Sequence, residues 1–88
     1  MKLVWAPQAW DDYLHWQEYD PDMVEKINAI IKATKQDHFK GIGKPEPLKG
    51  NLQGWWSRRI TGEHRFVYRV TGAGTAKALE IAQCRYHY

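Results

Sequence analysis

Cysteine is nearly missing from this 88-residue sequence: Cys84 stands alone. A single thiol excludes an intramolecular disulfide and any cysteine-rich zinc site. Long apolar runs are missing too, and no stretch approaches the roughly 20 apolar residues of a membrane span. The first residues, Met1-Lys2-Leu3-Val4-Trp5, run at once into Pro7 and then Asp11-Asp12. A secretory leader needs an apolar region of about 7–15 residues, so export is not expected. Both absences fit a reducing cytoplasm. The four histidines, His15, His38, His64 and His87, are scattered. None pairs at a ligand spacing with another histidine or with Cys84, so no metal site is expected. No Gly-rich phosphate loop opens a helix, which leaves nucleotide-cofactor chemistry without support and implies no cofactor. No serine-centred nucleophile elbow is present.

Aromatic surface and segregated charge are what the chain does have. Five Trp, five Tyr and two Phe supply large burial per residue. A chain of this length makes one small domain, residues 1–88, burying about 60–65% of its unfolded surface around one core. Residues 1–37 hold four Lys and seven Asp or Glu, a net of −3. Residues 38–88 hold nine Lys or Arg and three Glu, a net of +6. Charge divided this way points to an anionic partner for the C-terminal half, such as nucleic acid. The plain alternative is a solvated basic face.

Along the chain, Lys2 to Trp5 reads as a short strand. Pro7 suits a first helical position, although Ala6 is a poor cap. Trp10, Tyr13 and Leu14 share one helical face and are expected in the core. Asp20-Pro21 is a stronger helix start, with Asp as N-cap. Met23, Val24, Ile27, Ile30 and Ile31 then form an apolar stripe.

His38 to Gly54 is a long polar connection, and long ordered loops are more often functional than short ones. Within it, Pro45 and Pro47 stiffen the backbone on both sides of Glu46. Gly54 to Val70 reads as two strands with a tight turn at Thr61-Gly62-Glu63. A three-residue turn sets Ile60 opposite His64 and Arg59 opposite Arg65. Guanidinium groups directly opposite each other repel, which implies an anion between them. Thr71 to Lys77 is a second loop, and Ala78 to Tyr88 reads as a last strand. The order strand, two helices, three strands indicates α+β: a twisted antiparallel sheet with helices on one face.

One rigidly placed carboxylate, several arginines and a terminal imidazole beside tyrosines remain as candidates for chemistry. That set suits acid–base cleavage of a phosphodiester without metal. A base takes the proton of a ribose 2′-hydroxyl, guanidinium groups stabilise charge on the phosphoryl oxygens, and an acid protonates the departing 5′-oxygen. DNA lacks the attacking hydroxyl, so the scheme is confined to RNA.

Six segments carry a family likeness: Met1-Lys2-Leu3-Val4-Trp5, Trp10-Asp11-Asp12-Tyr13-Leu14, Gly43-Lys44-Pro45-Glu46-Pro47-Leu48-Lys49, Trp56-Ser57-Arg58-Arg59-Ile60, Glu63-His64-Arg65 and Arg85-Tyr86-His87-Tyr88. Together they resemble the YoeB toxins of the RelE-type bacterial toxin superfamily, over nearly the whole chain. The resemblance implies a compact, microbial-RNase-like α+β fold. It implies the toxin of a type II toxin–antitoxin system, a metal-independent endoribonuclease that cuts mRNA in the ribosomal A site beside rRNA. It implies a YefM-like antitoxin, a homodimer, and contact with operator DNA only through the antitoxin complex. By resemblance Glu46 is the general base, His87 the general acid and Arg65 the transition-state stabiliser. Lys49 and Arg59 hold phosphate, and Tyr88 places or stacks a base. The chain departs from the family pattern at Ala6-Pro7-Gln8, at Gly62, and in a Thr71–Lys77 loop a few residues longer.

Each residue also has a plainer reading. Glu46 could be an ion-pair partner of Lys44 or Lys49, and Arg65 a sheet-face ion-pair member. His87 could fray at the terminus, although a place in a strand between Tyr86 and Tyr88 argues for order. His64 reads as a turn or core residue. Arg58 and Arg69 read as general phosphate contacts. Trp55 and Trp56 could stack on bases, with at least one in the core. Two rival functions stand beside the nuclease: a non-catalytic basic nucleic-acid-binding module, and a protein whose cationic groove grips an acidic peptide.

Overall fold

The computed structural model describes all 88 residues. Strand β1 (Lys2–Trp5) leads into helices α1 (Pro7–Tyr19) and α2 (Pro21–Gln36). Four strands follow: β2 (Glu46–Pro47), β3 (Trp56–Arg59), β4 (Arg65–Thr71) and β5 (Ala78–Gln83). They form one sheet in the order β1-β5-β4-β3-β2. The α+β order expected from the sequence is present, and β2 to β5 are antiparallel as expected. β1 differs: it lies parallel to β5, so the sheet as a whole is mixed. Both helices and strands β2 to β4 lie between β1 and β5, so the pair is joined by a long connection, which a parallel pair requires. No helix is long and apolar enough to cross a membrane.

Both helices begin with proline at the first helical position, where the missing N–H costs no hydrogen bond. A single residue separates them. The Asp20 amide closes α1 on the Trp16 carbonyl at 2.9 Å, and the Asp20 carbonyl accepts from Met23 at 3.0 Å to open α2. Its carboxylate makes no capping bond, so Asp20 turns the chain with its backbone, not its side chain. The isoleucine stripe of α2 behaves as read: Met23, Ile27, Ile30 and Ile31 are buried, and Val24 packs beside them.

α1 is rotated from the expected face. Its buried residues are Ala9, Asp12 and Trp16, while Trp10 and Leu14 are each 44% exposed. The buried carboxylate explains the rotation. Asp12 Oδ2 accepts the Cys84 backbone N–H at 3.0 Å and Oδ1 accepts from Gln8 at 2.7 Å. Trp16 Nε1 donates to the Cys84 carbonyl at 2.9 Å. These bonds dock α1 on the end of β5. Burial and the nearby Asp12 charge push the Cys84 thiol up to about 12, which keeps it protonated and unreactive.

Phe66, Tyr68, Leu79 and Ile81 supply the helix-facing side of the sheet. Each such fully buried side chain contributes about 1.5–3 kcal/mol of transfer free energy. With period-two alternation, Ser57, Arg59, Arg65 and Val67 then fall on the opposite face. That face carries the candidate chemistry.

Candidate active site

The register of β2, β3 and β4 assembles the site. Glu46 pairs with Ser57, Ser57 with Val67, and Arg59 with Arg65. The Arg59–Arg65 pairing and the Ile60–His64 bond (3.0 Å) match the register expected from a three-residue turn. Pro47 can occupy β2 because β2 is an edge strand and one side needs no donor. β5 carries one extra residue opposite the Val67–Tyr68 step, a bulge at the rim of the site.

The approach to Glu46 is anchored from behind. Arg58 is fully buried and faces the helices. Its guanidinium donates to the carbonyls of Asp37 at 2.6 Å, Lys40 at 2.9 Å and Ile42 at 3.0 Å, and to the Tyr68 hydroxyl at 3.4 Å. Arg58 is therefore a structural clasp for the loop, which overturns its reading as a phosphate contact. Gly43 follows at φ 82°, and a Cβ there would lie 2.9 Å from the Arg59 carbonyl. The Gly43 carbonyl accepts the Arg59 amide at 2.6 Å. Only glycine allows the loop to lie this close to β3, three residues before the proline-braced Glu46.

Arg69 is also committed elsewhere. It pairs with Glu80 at 2.9 Å and lies 4.4 Å from the centre of the Trp55 ring. Hydrogen bonds from Thr71 and then Arg69 hold the Glu80 carboxyl below its usual range. Trp56 packs against the core and Phe39, so one of the two tryptophans is core as expected.

The C-terminal residues do not continue the strand. β5 ends at Gln83, and Cys84 to Tyr86 bend away. A last strand running to Tyr88 is thus corrected to a strand plus a hook. Tyr86 takes φ 64°, the left-handed region that side chains avoid. Its carbonyl accepts the Arg65 amide at 3.0 Å, and its amide donates to His64 Nδ1 at 2.8 Å. The hook carries the tail back over the open face. There the Tyr88 hydroxyl donates to Glu46 Oε1 at 3.0 Å and lies 3.3 Å from Ser57 Oγ. Ser57 and Val67, each 1% exposed, lie on this face yet are buried.

The structure thus joins Glu46, Ser57 and Tyr88 directly, and ties Arg65 to them through Tyr86. His87 sits between the two anchors, exposed, with its carbonyl 3.4 Å from Gln83 Nε2. Arg65 is 8% exposed, and its Nη1 donates to the carbonyls of Thr61, Gly62 and His64 at 2.9, 3.1 and 3.3 Å. These neutral acceptors aim the guanidinium without cancelling its charge. Neither Arg65, Arg59 nor Lys49 has a carboxylate partner, and Glu46 pairs with neither Lys44 nor Lys49. The two concavities of about 290 Å³ lie outside this row. One, lined by Leu3, Trp5, Tyr13 and Lys32, holds no acid–base pair. The other touches the site only through Arg59 and Gly43.

Residues 5–88 match the family model for the YoeB-like toxin of bacterial type II toxin–antitoxin systems. The chain belongs to the YoeB toxin family. It is 61% identical to Toxin YoeB of Escherichia coli O6:H1 over 88 residues, the whole of both chains. Among solved structures, a YoeB/ParE toxin from Agrobacterium tumefaciens superposes with a TM-score of 0.97 at 61% identity, covering both chains fully. YoeB of Staphylococcus aureus, solved as a dimer and in a heterotetrameric YoeB-YefM complex, gives 0.89 at 45% identity over 100% of this chain and 98% of that one. YoeB membership agrees with the resemblance carried by the six segments.

Ser57 was missed, and His64, read as a turn or core residue and largely buried beside the turn, has a further bond to the tail that was not foreseen. Ser57 is two residues from Arg59 in a strand, so alternation places it on the same face and could have found it. His64 gave no such signal, because its partner is a backbone amide 22 residues away.

Proposed function

We propose that this chain is a ribosome-dependent endoribonuclease, the toxin of a type II pair, that cleaves mRNA in the A site without a metal. The observation that carries the reading is the bond between the Glu46 carboxylate and a hydroxyl. In the free chain Tyr88 donates to Oε1 at 3.0 Å, and a ribose 2′-hydroxyl entering in its place would meet the same acceptor.

Glu46 then takes the 2′-proton, and the 2′-oxygen bonds to the adjacent phosphorus. Negative charge grows on the non-bridging oxygens, facing the Arg65 and Arg59 guanidinium groups. A buried guanidinium with no carboxylate partner stabilises that charge more than a solvated one. Lys49 holds a flanking phosphate. His87, protonated, delivers a proton to the departing 5′-oxygen as the phosphorus–oxygen bond breaks. The products are a 2′,3′-cyclic phosphate and a free 5′-hydroxyl. Base and acid each contribute roughly 10²–10⁴-fold. The tail lifts Tyr88 off Glu46 as substrate enters, and its ring then stacks on a base.

The partner of the free toxin is a YefM-like antitoxin, as in the Staphylococcus aureus complex, and the complex alone reaches operator DNA. The toxin acts as a homodimer in the cytoplasm. Primer extension on translated mRNA tests the reading. Glu46→Gln and His87→Gln should each abolish the cleavage stops while ribosome binding persists. Stops at native intensity in both variants would favour a non-catalytic binding module instead.

A further inference from the structure

The hook at Tyr86 is held from two sides. Its carbonyl accepts the Arg65 amide at 3.0 Å, and its amide donates to His64 Nδ1 at 2.8 Å. His64 is 14% exposed in its side chain and lies between two rings: Trp16 edge-on at 4.9 Å and Tyr86 at 5.7 Å. A residue at φ 64° returns to extended backbone unless its surroundings over-determine it. The residues carried by the hook are His87 and Tyr88.

We propose that His64 is a positioning residue for this tail and that its hold is lost when the ring takes up a proton. A backbone N–H can only donate, so the ring nitrogen facing it is the unprotonated one. In the imidazolium form both nitrogens carry hydrogen, and Nδ1–H would meet Tyr86 N–H. The bond then fails, Tyr86 relaxes, and the tail lifts Tyr88 from Glu46 and carries His87 with it. Imidazoles make this change in the range of about pH 5–8.

The charged and titratable groups around the ring come from four elements. Glu63 of the turn has Oε1 3.7 Å from Nε2. Arg65 of β4 has Nη1 3.3 Å from the His64 carbonyl. Arg85 of the tail lies over the Tyr86 and Trp16 rings at 4.5 and 5.7 Å. His15 of α1 lies edge-on to the Trp16 ring at 4.9 Å. Glu63 is the one carboxylate of the four, and it sits at Nε2, away from the Tyr86 bond.

The catalytic consequence rests on the nuclease reading above. His87 works protonated and His64 works neutral, so the two imidazoles bound activity from opposite sides. Activity falls in alkali as His87 loses its proton, and falls in acid as His64 gains one.

The test follows the Tyr86 amide by ¹⁵N NMR from pH 5 to 8.5 in the native chain, His64→Asn and His64→Ala, with the amides of Phe66 and Ile81 as folding markers. Asn keeps an acceptor oxygen near the Nδ1 position and removes the titration. In the native chain the Tyr86 amide should shift with the midpoint of the His64 ring nitrogens and, in acid, lose roughly tenfold in protection relative to its intrinsic exchange rate, the worth of one hydrogen bond. His64→Asn should hold Tyr86 at every pH, and His64→Ala at none. In A-site cleavage assays, His64→Asn should move the acid limb to lower pH, while His64→Ala slows cleavage roughly tenfold throughout. A Tyr86 amide indifferent to His64, or an unmoved acid limb in His64→Asn, overturns the proposal. If His64→Ala fails to fold by the core amides, His64→Asn carries the test. The NMR reading involves no RNA, so a chain that cleaves nothing would refute the nuclease reading and leave the His64 hold judged by Tyr86 alone.

Discussion

Replacing Arg58 by Met would show what the buried guanidinium holds. The side chain is fully buried and donates to three loop carbonyls and one phenol. Bonds from a charged donor are worth about 1.5–3 kcal/mol each. They do not simply add, because Asp37, Lys40 and Ile42 are exposed residues whose carbonyls can rehydrate once the loop loosens. Met fills much of the volume, and the Tyr68 hydroxyl keeps its bond to the His38 carbonyl at 2.6 Å. About 3–5 kcal/mol of lost stability remains, the usual cost of breaking a buried charged network. For a chain of this size that lowers the melting temperature by about 15–30 °C. Urea unfolding followed by circular dichroism measures it, and amide exchange at Arg59 should quicken as Gly43 drifts from β3. Arg58→Lys keeps the charge but not the fork, and should lose about half as much. A loss below about 1 kcal/mol in Arg58→Met, with Arg59 exchange unchanged, would refute the clasp.

Three other outcomes are expected. The Cys84 thiol, raised to about 12, keeps its proton in the folded chain where the unfolded chain has lost it; stability is therefore full below about pH 8.5 and falls as pH rises toward 12. Urea unfolding should show about 2 kcal/mol lost between pH 8 and 10, and Cys84→Ala should flatten that slope; parallel slopes would contradict the assignment. Tyr88→Phe, which frees Glu46 but keeps the ring, should change the single-turnover cleavage rate less than about fivefold, whereas Tyr88→Ala should cost roughly 10–100-fold through lost stacking; equal losses would count against a stacking role. Binding of single-stranded RNA should weaken with salt at a log–log slope of about −2, three cations at about 0.7 each, and Lys49→Ala with Arg59→Ala should flatten it; a native slope near zero would exclude a phosphate-binding face.

What could be read from the sequence was local. Pro21 and the isoleucine stripe defined α2, because cap chemistry and helical period are short-range. Turn length alone paired Arg59 with Arg65. The proline-flanked Glu46 stood out as a candidate, although its pairing with Ser57 as a short edge strand did not show in a proline-rich segment. Long-range partners stayed hidden. Asp12 turns α1 toward Cys84, 72 residues away, so the aromatic face of Trp10 and Leu14 was misjudged as core. Arg58 looks like any other basic residue until the carbonyls of Asp37 to Ile42 surround it. Strand direction leaves no trace in composition, which concealed the parallel β1–β5 pair. The hook at Tyr86 needs a left-handed tyrosine, a conformation that residue type argues against and that only the contacts with His64 and Arg65 make possible.

The most direct test of the convergence of Glu46, Arg65 and His87 on one linkage replaces the departing 5′-oxygen by sulfur in A-site mRNA. A thiolate leaves without a proton, so the sulfur substrate should restore His87→Gln to near the native rate while Glu46→Gln and Arg65→Ala stay slow, and the downstream fragment should carry a free 5′-thiol. Equal behaviour of His87→Gln on the oxygen and sulfur substrates, or a 5′-phosphate on the product, would contradict the assignment of His87 as the acid and of the ribose hydroxyl as the attacking group.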